Sequence, residues 1–359
     1  MEKVDIAPAL PRPAFWRGRR VLVTGHTGFK GSWLALWLAE LGAKVFGLAL
    51  PPDTNPAHYT LAAVDGVVQS TIADLRDPEA TASVVAAADP EIVLHLAAQS
   101  LVRRGLATPA ETFASNVMGT AHLLDALRSR ARPRTVLVVT SDKVYAGHED
   151  MSAFTEGDEL GGNDPYSASK AAVELLVRAY RASYFAGSET ALATARGGNV
   201  VGGGDFAADR LVPDAVRAAM TQTPLVLRHP EATRPWQHVL DCLCGYLVYA
   251  EALGDGKAVP PALNFAPDAR VPAPTVGEVA TIVCTELGHA ASWQHCPDPA
   301  SRERMTLRID ASLANEALGW RSRFSGRDAV VAAAKWYGDW LGGDNPAALT
   351  RLAIADFMR

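Results

Sequence analysis

An apolar run, Arg20–Thr24, enters a glycine turn, Gly25-x-x-Gly28-x-x-Gly31, that opens directly into a helical pattern stopping at Gly42. Few local patterns constrain a fold as strongly. The glycines make the tight turn, permit close approach of the backbone to a ligand, and let the helix pack against the strand. The amides at the helix N-terminus then face an anion such as a dinucleotide pyrophosphate. Gly25, Thr27, Gly28, Phe29, Lys30 and Gly31 are therefore candidate cofactor-binding residues.

The pattern continues as alternating strands and helices. Strands are expected at Lys44–Leu50, Gly66–Ile72, Ile92–Leu96, Thr135–Thr140 and Ala191–Arg196, with helices at Pro78–Ala88, Ala110–Arg130 and Ser167–Phe185. This rhythm predicts an α/β fold, a Rossmann-type doubly wound parallel sheet with helices on both faces. Ligands in such sheets lie beyond the carboxyl ends of the strands. After about residue 200 the pattern changes. Expected there are a Gly-rich stretch at Val201–Asp205, an edge strand at Pro224–Arg228, helices at Pro213–Met220, His238–Ala252, Thr275–Leu287, Asp310–Leu318 and Arg327–Leu341, and a strand at Ala262–Ala266 able to rejoin the main sheet. The implied division is a cofactor domain over 15–200 with a returning segment at 238–268. A smaller mixed α/β substrate domain covers 201–237 and 269–345, and residues 1–14 form an N-terminal arm.

A second motif lies far from the first: Tyr166-Ser-Ala-Ser-Lys170, preceded by Asp164-Pro165. Tyr and Lys at i and i+4 share one helix face. A phenol is a poor base at neutral pH. A neighbouring ammonium and the positive ring of an oxidised nicotinamide both favour its phenolate. Tyr166 and Lys170 are thus the candidate proton-transfer pair, with Thr140 and Ser141 at a strand end completing the hydrogen-bonding group.

Composition limits the partners. Across 359 residues, 48% are apolar, 20% are charged and the net charge is −5. These values fit a soluble protein and give no reason to expect nucleic acid or a membrane. The start of the chain lacks the layout of a signal peptide, which leads to an expectation of a cytoplasmic protein. Cys242 and Cys244 are too close for zinc-ligand spacing, so no metal site is expected, and all four cysteines read as reduced thiols. No Lys or Arg occurs from Val45 through Leu75, which favours NAD over NADP. Asp53 is the acidic candidate for the ribose. Asp74-Leu75 is placed either to contact the adenine or, through Asp74, to cap a helix.

The residues resemble a known family. Gly25-His-Thr-Gly-Phe-Lys-Gly31 and Tyr166-x-x-x-Lys170 are similar to the extended short-chain dehydrogenase/reductases, the NAD-dependent epimerases and dehydratases. Four further stretches bring the chain closer to the CDP-glucose 4,6-dehydratases: His95-Leu-Ala-Ala-Gln99, Thr140-Ser-Asp-Lys143, Arg196-Gly-Gly-Asn-Val-Val-Gly-Gly-Gly-Asp205 and Arg234-Pro-Trp-Gln-His-Val239.

The resemblance implies a redox-neutral dehydration. Tyr166 takes the 4-hydroxyl proton as hydride leaves C4 for NAD⁺; water is lost across C5 and C6, and hydride returns to C6. It implies Asp142 as general acid and Lys143 as either base at C5 or stabiliser of the enolate. It also implies that Leu96, Ala97, Ala98, Gln99 and Asn116 line the cofactor pocket and that Asn199, Arg210, Arg234 and His238 bind the nucleotide sugar. Further implications are a homodimer or homotetramer and a place in deoxysugar synthesis for lipopolysaccharide O-antigen. Two other readings compete: a 4-epimerase or simple dehydrogenase, which needs no elimination acid, and a catalytically silent NAD-binding scaffold.

Overall fold

The computed structural model describes residues 8–130, 134–147, 152–288, 293–297 and 305–359. Seven strands form one sheet: β1 (Arg20–Thr24), β2 (Lys44–Ala49), β3 (Val68–Ile72), β4 (Ile92–His95), β5 (Thr135–Val139), β6 (Ala191–Gly197) and β7 (Ala262–Phe265). Their order is β7-β6-β5-β4-β1-β2-β3, and every pair is parallel. The central strands are apolar throughout because both faces are covered. Val21, Val23, Leu137 and Val139 face one layer, containing helices Phe29–Glu40 and Val239–Gly254. Leu22, Val136 and Val138 face the other, built from helices Pro78–Ala88, Gly119–Arg128 and Pro165–Tyr180.

The expected strand at 262–266 does join the sheet, beside β6, so residues after 200 return to complete it. The larger core runs without a break from β1 through Trp236, Val279, Val283, Val330 and Trp336, joining the sheet layer to the later segments.

Several expectations shift. β3 starts at Val68, because Val64–Gly66 is a 3₁₀ turn. The long helix over 110–130 ends at Arg128 and carries a π segment at Ala114–Met118; the helix over 167–185 carries another at Arg181–Phe185. Val226–Leu227 lies outside the main sheet and pairs instead with Gln294–His295. Helix Pro346–Phe357 lies beyond the expected elements, capped by Asn345 with proline in its first turn. Residues 1–7 of the arm lie outside the described residues. The remainder, 8–14, is docked through Arg12, which pairs with Glu251 Oε2 at 2.8 Å; just after the arm, Trp16 is fully buried and its indole donates to Glu251 Oε1 at 2.7 Å. No helix among the described residues is long and apolar enough to cross a membrane.

Candidate active site

The glycine turn is as tight as its spacing requires. Gly25 has φ +77°, and a Cβ there would lie 2.8 Å from the Ala97 backbone. A Cβ on Gly31 would lie 2.0 Å from the Gly25 carbonyl oxygen. Thr27 Oγ1 donates to the Leu50 carbonyl at 2.8 Å, fixing the turn to the end of β2. Gly28 is the N-cap of helix Phe29–Glu40 and offers no side chain to cap it, so the first-turn amides suit an anion. The cradle fits a dinucleotide pyrophosphate.

The loop after β4 forms the adjoining wall. Ala97 N donates to Thr24 Oγ1 at 3.2 Å, and Gln99 N to Asn116 Oδ1 at 2.8 Å. Asn116 Nδ2 donates to the Gln99 carbonyl at 3.0 Å and to Ser169 Oγ at 2.8 Å, tying this wall to the Tyr166 helix. Leu96 and Ala98 are half-buried here. Asn116 occupies the π segment, a distortion often found at functional sites. Both His95 nitrogens are engaged, by Thr24 at 2.6 Å and Thr120 at 2.9 Å; burial lowers its pKa to about 3, which keeps it neutral.

At the other end, Asp74 caps no helix. Its carboxylate accepts from Arg76 N at 2.8 Å, Nε at 2.8 Å and Nη2 at 2.6 Å, and Arg76 holds its carboxyl below the usual range. Asp77 is the cap of the following helix. Leu75 is buried in the core. Asp53 is exposed in the loop after β2, and its charge is felt by Arg210.

Asp164 caps the Tyr166 helix, accepting from Ser167 N at 3.0 Å, with Pro165 in the first turn. Tyr166 and Lys170 are both buried. Lys170 Nζ donates to the Val139 carbonyl at 3.1 Å. Burial and then Lys30 depress the Lys170 pKa to about 7, while Glu174 opposes them. Burial raises the Tyr166 pKa, and Lys143, the Ser141 hydroxyl and Arg210 pull it the other way. Those three groups favour the phenolate.

Consecutive residues point apart. Ser141 faces the phenol, whereas Thr140 Oγ1 donates to Glu174 Oε1 at 2.5 Å, so Thr140 stands behind the site as a support rather than within its hydrogen-bonding group. Asp142 is fully buried. Its Oδ1 accepts from Ser141 Oγ and from Lys143 Nζ, each at 3.0 Å, and its Oδ2 has no partner among the described residues. The carboxylate rests on Gly198, where a Cβ would lie 2.0 Å from Asp142 Cγ.

The residues expected to bind substrate divide into two groups. Asn199 has φ +49° and accepts from Lys143 Nζ through Oδ1 at 3.2 Å. Arg210 is clamped by Asp205 at 2.9 Å and Ser100 at 3.0 Å, close enough to Tyr166 for each to shift the other's pKa. Arg234 instead donates to the carbonyls of Thr233 and Met305, at 2.8 and 3.3 Å. His238 is buried, packed 4.6 Å from Phe324, and caps helix Val239–Gly254 by accepting from Leu240 N. Lys30 Nζ lies 5.7 Å from the centre of the Tyr246 ring and adds its charge to this cluster. Glu174 and Asp205 were not singled out from sequence. Glu174 follows Lys170 by another i,i+4 step on a buried face, a signal that was available.

A sequence profile described as the NAD dependent epimerase/dehydratase family matches residues 21–261. The chain is 40% identical over 353 residues to a CDP-glucose 4,6-dehydratase of Salmonella typhimurium, covering 96% of this chain and 97% of that one. It is 28% identical to a dTDP-glucose 4,6-dehydratase of Xanthomonas campestris, covering 88% and 92%. A dTDP-glucose 4,6-dehydratase from Streptomyces venezuelae, solved with NAD and TYD bound, superposes with a TM-score of 0.76 at 26% identity, covering 91% of this chain and 99% of that one. With its seven-stranded parallel sheet, glycine turn and Tyr/Lys helix, the chain belongs to the NAD dependent epimerase/dehydratase family.

Proposed function

We propose that this enzyme dehydrates a nucleotide-activated hexose, converting CDP-glucose to CDP-4-keto-6-deoxyglucose. One observation carries the reading: the buried carboxyl group of Asp142, with one oxygen unpartnered among the described residues, joined to Lys143 and set beside Tyr166. An epimerase or simple dehydrogenase needs the Tyr/Lys pair alone. Elimination of water also needs an acid for the departing hydroxyl and a base for C5. The CDP base follows the Salmonella relative.

Gly25–Gly31, with Thr27, Phe29 and Lys30, would hold NAD at its pyrophosphate, and Leu96–Gln99 with Asn116 would line the pocket. Asp74 and Leu75 would lie at the adenine end. Bound NAD supplies the acceptor and donor of the hydride that leaves C4 and returns to C6. Tyr166 Oη takes the 4-hydroxyl proton, assisted by the Ser141 hydroxyl and the charges of Lys143 and Arg210. The ketone at C4 acidifies C5–H. Lys143 Nζ takes that proton, and the ammonium so formed stabilises the enolate; Asp142, entering in its protonated form, gives its Oδ2 proton to the 6-hydroxyl as it leaves as water, and Lys143 returns its proton to C5 as hydride reaches C6. Arg210 would meet the diphosphate.

The substrate side would comprise 201–237 and 269–345. Leu106, Phe113, Met118, Leu175 and Tyr184 are exposed on the helices spanning 102–128 and 165–185, an apolar face suited to pairing two copies in a dimer. The four unpaired cysteines accord with a reducing cytosol. The test is to incubate the purified enzyme with CDP-, dTDP-, UDP- and GDP-glucose separately and follow loss of water by mass spectrometry. Dehydration of CDP-glucose alone is expected. Dehydration of another nucleotide sugar in its place would overturn the base assignment, and epimerisation without water loss would overturn the reaction.

A further inference from the structure

We infer that a buried ion pair, Glu174–Arg196, positions the elimination residues by anchoring the chain on both sides of them. The inference rests on the reading above that Asp142 and Lys143 carry elimination.

Tyr166, Lys170 and Glu174 form one stripe of the helix Pro165–Tyr180, and Glu174 is only 5% exposed. Its carboxylate is fully engaged by three donors. Oε1 accepts from Thr140 Oγ1 at 2.5 Å; Oε2 accepts from Thr194 Oγ1 at 2.8 Å and Arg196 Nη2 at 2.9 Å. Arg196, 4% exposed, passes the connection on. Its Nη1 donates to Tyr145 Oη at 3.0 Å, and its guanidinium carbon lies 5.3 Å from the centre of the Tyr145 ring. Tyr145 is itself fixed, donating to Asn264 Oδ1 on β7 at 2.6 Å and stacking on Phe154 at 4.8 Å. Asn264 Nδ2 donates in turn to the carbonyls of Phe154 and Asp310.

Thr140 immediately precedes Ser141, and Tyr145 stands two residues after Lys143. The segment Ser141–Val144 thus hangs between two buried anchors that meet at one ion pair. A buried ion pair adds little net stability over an apolar replacement, and its better-attested use is to select one geometry. Here that geometry is the placement of Asp142 on Gly198 and of Lys143 on Asn199. Glu174 and Arg196 act as positioning residues, through Thr140 and Tyr145.

The test uses the holoenzyme with CDP-glucose, rapid quenching and mass spectrometry. It measures separately the 4-keto sugar that keeps its 6-hydroxyl and the dehydrated product, with deuterium uptake at C5. Tyr145→Phe removes one hydroxyl without opening a cavity, Thr140→Val removes the other anchor, and Glu174→Gln weakens the pair. Each should slow water loss by about ten- to a hundredfold, slow formation of the 4-keto sugar, which Ser141 and Lys143 also assist, by much less, and so make that intermediate accumulate. A merely structural role would reduce the active fraction and leave the ratio of the two species unchanged. That outcome, or undiminished water loss in Tyr145→Phe and Thr140→Val, would overturn the inference. Wild type and Asp142→Asn run alongside report on the elimination reading itself, so failure of that reading is seen separately.

Discussion

Gly198 is where one methyl group should separate the two halves of the reaction. A Cβ there would lie 2.0 Å from Asp142 Cγ, 2.1 Å from Oδ1 and 2.2 Å from Oδ2, whereas ordinary contact begins at 3.4 Å. The carboxylate must therefore retreat by about 1.4 Å, the difference between those distances. It is fully buried and held by Ser141 and Lys143, so it cannot swing into solvent. Gly198 does not have a positive φ, so alanine adds no backbone strain and the effect is local. A misplacement of about 1 Å costs on the order of 10²-fold in rate, and overpacking a filled site costs about 1–3 kcal/mol in stability. For Gly198→Ala the expectation is a folded enzyme that oxidises C4 at near wild-type rate and loses water about a hundredfold more slowly. Rapid-quench mass spectrometry on CDP-glucose reads both steps. Unimpaired water loss in the folded variant would refute the assignment of Asp142 to that step.

Other outcomes follow from the same geometry. The folded-state pKa of Lys170 is lowered from 10.5 to about 7, so the unfolded chain binds the extra proton between those values and stability rises with pH across that window. Lys170→Met should therefore stabilise the cofactor-free protein by up to about 5 kcal/mol below about pH 7. The gain should fade toward about pH 10.5, while activity is lost throughout. Thermal unfolding at several pH values checks this, and a gain that grew with pH would contradict it. His58 Nε2 meets Thr350 Oγ1 at 3.0 Å, docking the last helix against a ring stacked on Trp33. Thr350→Val should cost about 1–3 kcal/mol in urea unfolding without changing kcat; an unchanged midpoint would show that the bond contributes nothing.

The residues legible in the sequence are those set by short-range spacing. Gly25, Gly28 and Gly31 announce a turn, and Tyr166 and Lys170 share a face, whatever the rest of the chain does. What stayed hidden depends on neighbours brought from afar. Gly198 supports Asp142 only because β5 and β6 lie side by side. The charge beside Lys170 comes from Lys30, on the helix after the glycine turn. Thr140 and Ser141 are adjacent in sequence and face opposite ways, which the single strand does not reveal until its register is known. His238 and Asp74 are polar residues near the site whose bonding is local, to the Leu240 amide and to Arg76. The helix Pro346–Phe357 carried its own start signal in Asn345-Pro346.

In the proposed mechanism the Oδ2 of Asp142, which has no partner among the described residues, is the atom on which the dehydration turns. Asp142→Asn keeps the shape of the side chain and removes the transferable proton. In a single turnover of CDP-glucose it should yield the 4-keto sugar with its 6-hydroxyl intact and almost no dehydrated product. Dehydrated product formed at the wild-type rate would contradict the assignment outright.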